Sequence, residues 1–214
     1  MERIGPLKDR RNFLRTSSLL GAGLFVPKVN FASSGTFLTN ENIHEFGKRE
    51  GYAEQISILI SMMDWMRFVV LRDVEGISQK QLDFLLDENS NTIGALLMHL
   101  AATERYYQID TFAGIPKSKL DFGVEEDVWS AASNLGRAGR NVLKGKPLSF
   151  YLDKLNEVRE FSKAELKKRD DSWLMETSEF FGNQPTNNYC KWFHVVEHES
   201  NHNGQMRYIK GRAI

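Results

Sequence analysis

The segment that decides the fold lies in the last helix-like run of the chain, residues 188–212, and reads HVVEHESNHNGQ at residues 194–205. Three of the five histidines of the protein lie here at intervals of four residues, as His194, His198 and His202. On a helix that advances about 100° per residue, this spacing stacks the three imidazoles along one face. Imidazole is the commonest metal ligand among side chains, and an i, i+4 pair can converge on one ion. The pattern therefore predicts a helix that carries a metal site.

Two known metal motifs overlap in this segment. The residues from His198 to His202 fit the H-E-x-x-H pattern of zinc proteases, and Glu199 with His202 fits the Glu-x-x-His unit of di-iron bundles. A zinc protease would use Glu199 as general base and would need a third ligand downstream, but residues 203–212 contain no His, Asp or Glu. A di-iron centre needs a second Glu-x-x-His, and the only other one, which ends at His44, precedes the predicted bundle. The sequence therefore disfavours both a zinc protease and a di-iron protein.

Composition describes one ordinary globular domain. The chain has 214 residues, of which 41% are hydrophobic and 26% charged, and its formal net charge is zero. This neutral balance gives no electrostatic reason to expect a nucleic acid or an anionic membrane surface as partner. The only cysteine, Cys190, excludes an intramolecular disulfide and a cysteine-rich zinc site. Any metal is therefore expected on nitrogen and oxygen ligands.

The first 34 residues predict an export signal. An arginine pair, Arg10-Arg11, is followed by Phe13-Leu14, by a modestly apolar run over residues 16–27 and by small residues at 32–34. This order resembles a twin-arginine (Tat) signal, which implies a periplasmic or extracytoplasmic protein exported in the folded state. The apolar run is too short to span a bilayer stably, so no membrane span is expected in the mature protein. Residues 35–48 read as a polar lead-in, and 49–214 as the folded domain.

The apolar residues of this domain recur with helical spacing. In the first predicted helix they step by three and four from Tyr52 to Val70, and Gly76 ends the run. Three more helices are predicted over residues 92–112, 148–169 and 188–212. With no strand-like alternation and no internal repeat, the fold class is all-α: an antiparallel four-helix bundle with a long crossover between helices 2 and 3. This crossover, which carries a helical segment at 125–143 broken by glycines 136 and 139, is expected to cover a site.

His99 lies in the second predicted helix. Its neighbours are apolar or small on both sides, so a buried ring at this position needs a polar partner. In a four-helix bundle His99 and two histidines of the last helix can face the same interior point. Three nitrogen ligands leave coordination positions open to water or substrate, which is typical of a catalytic metal site.

These residues resemble the DinB/YfiT-like metalloenzyme family. The resemblance rests on Leu97-Met98-His99-Leu100-Ala101-Ala102 with Glu104, and on His198-Glu199-x-x-His202-x-Gly204-Gln205, within residues 52–210. It implies a bundle that holds a divalent metal, with zinc and nickel most common, on His99, His198 and His202. His194 matches no ligand position of the family and is expected at the rim of the site. Asn203 stands where many relatives have a basic residue, which speaks against anionic substrates.

The predicted function is that of an exported, metal-dependent enzyme acting on a small-molecule substrate. The metal would activate water or substrate, and Glu199 or His194 would move protons. As the resemblance implies, characterised members of this family include thiol-dependent transferases and an isomerase, and hydrolase activity has been suggested for others. Export argues against dependence on a cytoplasmic thiol, so hydrolytic chemistry is favoured. Two alternatives stay open: a thiol-dependent S-transferase or isomerase, and a non-catalytic metal-binding bundle. A homodimer is also left open.

Overall fold

The structure is a computed structural model that describes residues 42–213. The predicted export signal and residues 35–41 of the lead-in lie outside the described residues, so the export signal and its cleavage stay predictions. Among the described helices, none has both the length and the apolar character that crossing a membrane would need.

Residues 42–213 form eight α-helices, two short 3₁₀ turns at Lys117–Lys119 and Phe181–Asn183, and one two-stranded sheet. In chain order the elements are α1 Glu54–Val74, α2 Gln79–Leu82, α3 Ile93–Thr111, α4 Glu126–Asn134, α5 Gly136–Val142, α6 Leu148–Leu166, α7 Asp171–Met175, β1 Thr177–Glu179, β2 Pro185–Asn187 and α8 Asn188–Lys210. The four long helices α1, α3, α6 and α8 confirm the predicted all-α bundle and its long crossover.

The long helices pack around one another through apolar faces. α3 lies against both α6 and α8, and α1 lies against α8. One apolar cluster fills the space around α3 and α6 and includes the fully buried Leu97 and Leu155. A second lies between α1 and α8 and includes Met63 and Trp192. Burial of apolar area at about 25 cal/mol per Å² is the main stabilising contribution in such a core.

A buried network of four charges crosses this core, and each long helix contributes one member. Arg67 comes from α1, Glu104 from α3, Arg159 from α6 and Glu199 from α8, and none is more than 4% exposed. Arg67 and Arg159 each donate hydrogen bonds to both carboxylates, at 2.7–3.2 Å. Removal of one partner from a buried ion pair is strongly destabilising, and we expect this network to fix the register of the four helices. We call these four residues the charge network.

The crossover between α3 and α6 packs against α3 through α4 and α5. The helical segment breaks at Leu135, which has a φ of 55° and lies between the two helices. Gly139, predicted to break the segment as well, instead lies inside α5, where an added Cβ would come within 3.3 Å of the Ala131 carbonyl oxygen. The prediction of a helix break was therefore wrong at Gly139. Its lack of a side chain instead lets α5 pack closely against the end of α4.

The sequence analysis did not predict the short sheet before α8. β1 and β2 pair antiparallel, with Ser178 opposite Thr186. Lys191, although only 2% exposed, ties this hairpin to the bundle: its Nζ donates to Ser178 Oγ and to Asp110 Oδ2, both at 2.7 Å. The hairpin and the turn that follows β1 are thereby held beside the exposed side of α8.

Candidate metal centre

The three histidines predicted as ligands meet between α3 and α8. His99 lies on α3, and His198 and His202 lie on consecutive turns of α8. The Nε2 atom of His198 is 2.9 Å from Nε2 of His99 and 3.1 Å from Nε2 of His202. All three ligand atoms lie within 4.8 Å of one another. We call these residues the three-histidine cluster; their role as metal ligands stays a prediction.

The hydrogen bonds around the cluster leave the converging nitrogens free to bind a cation. Nδ1 of His99 lies 2.8 Å from the carbonyl oxygen of Ala132 in α4, and Nδ1 of His202 lies 3.1 Å from Oε1 of Gln205. Both oxygens only accept hydrogen bonds, so both Nδ1 atoms carry the proton and both Nε2 atoms present a lone pair. Lone pairs that face one another repel unless a proton or a cation lies between them. Such outer hydrogen bonds are how metal-binding imidazoles are oriented.

The spacing of the nitrogens also fits one ion. Two nitrogens that each bind at about 2.1 Å lie about 3.0 Å apart when the angle between the bonds is about 90°, and about 3.4 Å apart at the tetrahedral angle. The observed 2.9 Å and 3.1 Å separations are close to the first value. The residues present therefore fit a divalent cation, and a set of three imidazoles accepts zinc, nickel and other metals of similar preference.

The surroundings keep the cluster uncharged at neutral pH. Burial, together with the nearby His202 and His99, lowers the pKa of His198 to about 3. Burial also lowers the pKa of His99 and of His202, although the hydrogen bonds that these rings donate to Ala132 and Gln205 oppose it. Neutral imidazole is the form that binds a metal, so the cluster needs no proton loss to do so at neutral pH.

Glu199 does not join the three-histidine cluster. Its Oε1 accepts three hydrogen bonds, two from Arg67 and one from Arg159, and the residue is 1% exposed. Among the described residues its carboxylate belongs to neither group of side chains that could hold a metal. These contacts favour a positioning role over the predicted proton transfer. Because Glu199 follows His198 directly, fixing its carboxylate inward also fixes the rotation of α8 that turns His198 and His202 toward α3.

His194 lies at the rim of the cluster, as the resemblance led us to expect. Its ring is 4.9 Å from that of His198 and its side chain is one-third exposed. Nδ1 lies 2.8 Å from the hydroxyl of Tyr107, and Nε2 lies 3.8 Å from Oε2 of Glu197. The ring of Phe181, from the turn after β1, lies 5.5 Å away. His194 therefore borders the open side of the cluster without entering it.

Comparison with known protein families identifies the family of the chain. A family model described as mycothiol-S-transferase matches residues 58–213, which cover all four long helices of the bundle except the first turn of α1. The chain belongs to the mycothiol-S-transferase family. This family is part of the DinB/YfiT-like superfamily, so the predicted resemblance is confirmed at that level. No curated protein matches the chain. Membership supports the thiol-transfer alternative better than the favoured hydrolytic reading.

Three contacts of the site were not identified from the sequence. The Ala132 carbonyl is a backbone group on the crossover, and no side-chain pattern marks it. Gln205 belonged to the recognised motif, and its place three residues after His202, one helical turn, was the available signal. Tyr107 carries no local signal of its role, because its hydroxyl partner, His194, lies 87 residues away.

Proposed function

We propose that this protein is a metal-dependent thiol S-transferase that joins a low-molecular-weight thiol to a small electrophile. The observation that carries the proposal is the convergence of three neutral, partly exposed imidazoles from two helices in a member of the mycothiol-S-transferase family. A divalent ion held there, zinc or nickel by the resemblance, would supply a Lewis acid that lowers the pKa of an approaching thiol.

His194 is the proposed proton acceptor. Its ring lies beside His198, its side chain is one-third exposed, and the Tyr107 hydroxyl holds it in place through Nδ1. In the transfer step the S–H proton passes to Nε2 of His194, the sulfur–carbon bond forms, and the bond from carbon to the leaving group breaks. His194 then returns the proton to the leaving group, so the protein ends unchanged.

The electrophile is proposed to lie against an aromatic wall made of Tyr106, Tyr107, Phe180 and Phe181. Phe181 contacts the His194 ring, and Phe180 contacts both tyrosines at ring distances of 5.8–5.9 Å. Phe181 and Tyr106 are 42% and 54% exposed, so this wall can receive a ligand. Exposed aromatic surface beside polar groups favours an apolar or aromatic electrophile over a charged one.

The polar body of the thiol is proposed to occupy a cavity beside Gln205, with its sulfur extending toward the cluster. An open cavity of about 460 Å³ is lined by Leu86, Ser90, Asn91, Leu96, Asn201, Gly204, Gln205, Tyr208 and Ile209. This lining carries amides and hydroxyls but no charged side chain. Gln205 of this lining lies 3.1 Å from Nδ1 of His202, which connects the cavity wall to the cluster. An uncharged, polar thiol fits such a lining, which agrees with the expectation from Asn203 that anionic substrates are disfavoured.

The test is a thiol-transfer assay on metal-loaded protein. Purified protein is loaded with Zn²⁺ or Ni²⁺ and given mycothiol and a fluorogenic alkylating agent, with cysteine and glutathione as competing thiols and a chromogenic ester for hydrolysis. We expect thiol alkylation well above the background rate, lost in His99→Ala and His202→Ala. His44→Ala is the matched control, because His44 is exposed in the lead-in and belongs to no metal-capable group among the described residues.

Two results would overturn the proposal. One is a wild-type alkylation rate equal to that of His99→Ala for every thiol tested. The other is ester hydrolysis that depends on the three histidines in the absence of thiol, which would restore the hydrolytic reading. Elemental analysis of the loaded protein and of His99→Ala identifies which metal is retained.

A further inference from the structure

A second group of possible metal ligands lies directly beside the three-histidine cluster. His194, Glu197 and His198 offer ligand atoms that all lie within 4.8 Å of one another. They occupy positions i, i+3 and i+4 of α8, so all three side chains lie on one face of the helix. His198 belongs to both groups. We call His194, Glu197 and His198 the outer site.

The hydrogen bonds at the outer site prepare His194 as a ligand. Its Nδ1 lies 2.8 Å from the Tyr107 hydroxyl, which can accept a proton from this nitrogen. In that tautomer the lone pair is on Nε2, the atom that faces Glu197 Oε2 at 3.8 Å. Tyr107 thus accepts a hydrogen bond from Nδ1 of His194 and orients its ring. The Ala132 carbonyl does the same for His99, and Gln205 does the same for His202.

The two sites differ in their access to solvent and in their charge. The side chains of His194 and Glu197 are 33% and 48% exposed, whereas His202 of the inner cluster is 9% exposed. The outer site also has a carboxylate, and the inner cluster has only neutral imidazoles. A cation arriving from water therefore meets the exposed, negatively charged group first.

We propose that the outer site captures a divalent cation from solvent and passes it to the three-histidine cluster through the shared His198. The ion remains on His198 while His194 and Glu197 are exchanged for His99 and His202, so it is never released during the transfer. No bond other than the coordination bonds changes, and no oxidant or further reactant is needed. This inference rests on the proposed metal content of the inner cluster but not on the reaction that it catalyses.

The first test measures the rate of metal uptake. Metal-free protein is mixed with Co²⁺, and the visible absorption of the bound ion is followed by stopped flow for wild type, His194→Ala and Glu197→Gln. We expect both variants to take up Co²⁺ at least about tenfold more slowly, because each loses a ligand of the outer site. Glu197→Gln also loses a negative charge, and local charge changes association rates over this range. The final affinity, set by the inner histidines, stays within about twofold of wild type. Glu160→Gln is the control for lost charge, because Glu160 is an exposed carboxylate on α6.

The second test observes the outer site directly. In His99→Ala the inner cluster is incomplete, and we expect one weakly bound Co²⁺ that disappears in His99→Ala/Glu197→Gln. Circular dichroism checks that each variant folds. Uptake at the wild-type rate in both single variants overturns the proposal, as does Co²⁺ binding by His99→Ala that the added Glu197→Gln leaves unchanged.

Failure of this inference and failure of the proposed function give different results. Glu197 has no proposed part in thiol transfer, so Glu197→Gln that has been fully loaded by long incubation should transfer thiols at the wild-type rate. Absence of thiol transfer in loaded wild type would remove the proposed function and leave the uptake measurements unaffected.

Discussion

At the scale of single residues, the three-histidine cluster depends on the groups that orient its rings. The partner of His99 is a backbone carbonyl that no substitution removes, whereas the partner of His202 is the side chain of Gln205. We predict that Gln205→Ala lowers the metal affinity by about 10- to 100-fold, as loss of such a partner typically does. Competition with a chromophoric chelator measures this. Asn201→Ala, which removes only the acceptor of the Gln205 amide, should have a smaller effect; equal affinities of wild type and Gln205→Ala would contradict the prediction.

Substitution of Glu199 distinguishes a role in positioning α8 from a role in proton transfer. Glu199→Gln keeps the shape of the side chain but removes one of the two negative charges that face Arg67 and Arg159. We predict that it lowers the free energy of unfolding of the metal-free protein by about 3–5 kcal/mol, measured by urea unfolding, because it breaks buried ion pairs. Glu197→Gln, two residues earlier and half exposed, should change stability by less than about 0.5 kcal/mol. Unchanged stability of Glu199→Gln with lost turnover would instead support proton transfer by Glu199.

At the scale of elements, the approach of α3 to α6 depends on the absence of a side chain at position 94. A Cβ on Gly94 would lie 2.8 Å from the hydroxyl oxygen of Tyr151 and 2.9 Å from Cζ of the same ring. Tyr151 is fully buried and its hydroxyl donates to the Leu143 carbonyl, so the ring has little freedom to move away. We therefore predict that Gly94→Ala destabilises the protein by about 1–3 kcal/mol, the usual cost of overpacking.

Gly204 in α8 is the matched control for this prediction. It lies in a helix interior as Gly94 does, but a Cβ there would have no neighbour within 4 Å. Gly204→Ala should stabilise the protein by up to about 1 kcal/mol through helix propensity alone. Both values come from urea unfolding of metal-free protein. Changes of the same sign in the two variants would show that close packing at Gly94 is not the cause.

The elements also explain how a distant network shapes the site. Each long helix is held in rotation by its member of the charge network, and the neighbouring positions on α3 and α8 then carry the histidines. His99 precedes Glu104 by five residues, and His198 precedes Glu199 by one, so inward charges and converging imidazoles lie on different faces of the same helices. The rotation of these helices is thus set by contacts to which the three histidines do not contribute, whereas the histidines' own hydrogen bonds orient their rings.

At the scale of the whole molecule, the sequence predicted what depends on periodicity and missed what depends on distant partners. The helices of the bundle and the meeting of His99 with His198 and His202 follow from spacing that repeats along the chain. The pairing of Glu199 with Arg67 joins residues 132 positions apart, and nothing local marks it. The hairpin before α8 was missed because strands of three residues contain too little alternation to recognise. The predicted role of Glu199 was assigned from its position in the motif, which does not show what its side chain contacts.

We predict that the metal-free protein loses stability over two overlapping ranges of pH as the solution is acidified. Burial lowers the pKa of His198 from 6.5 to about 3. For Glu104, burial alone would raise the pKa, but Arg159 and Arg67 outweigh it and hold the pKa below 4.5. In both cases the unfolded chain binds protons at a higher pH than the folded protein, so stability rises with pH. The contribution of His198 is complete above about pH 6.5 and is lost as the pH falls toward about 3; that of Glu104 is complete above about pH 4.5 and is lost below it.

Urea midpoints measured from pH 7 to pH 3 test this order. We expect wild type to lose stability progressively below pH 6.5 and more steeply below pH 4.5. His198→Ala should reduce the upper part of this slope, because the position no longer titrates. Glu104→Gln, although less stable throughout, should reduce only the lower part, since the amide has no proton to gain. A midpoint that stays constant between pH 7 and pH 4 would contradict the uncharged, buried state of the cluster, and with it the availability of its nitrogens for a cation.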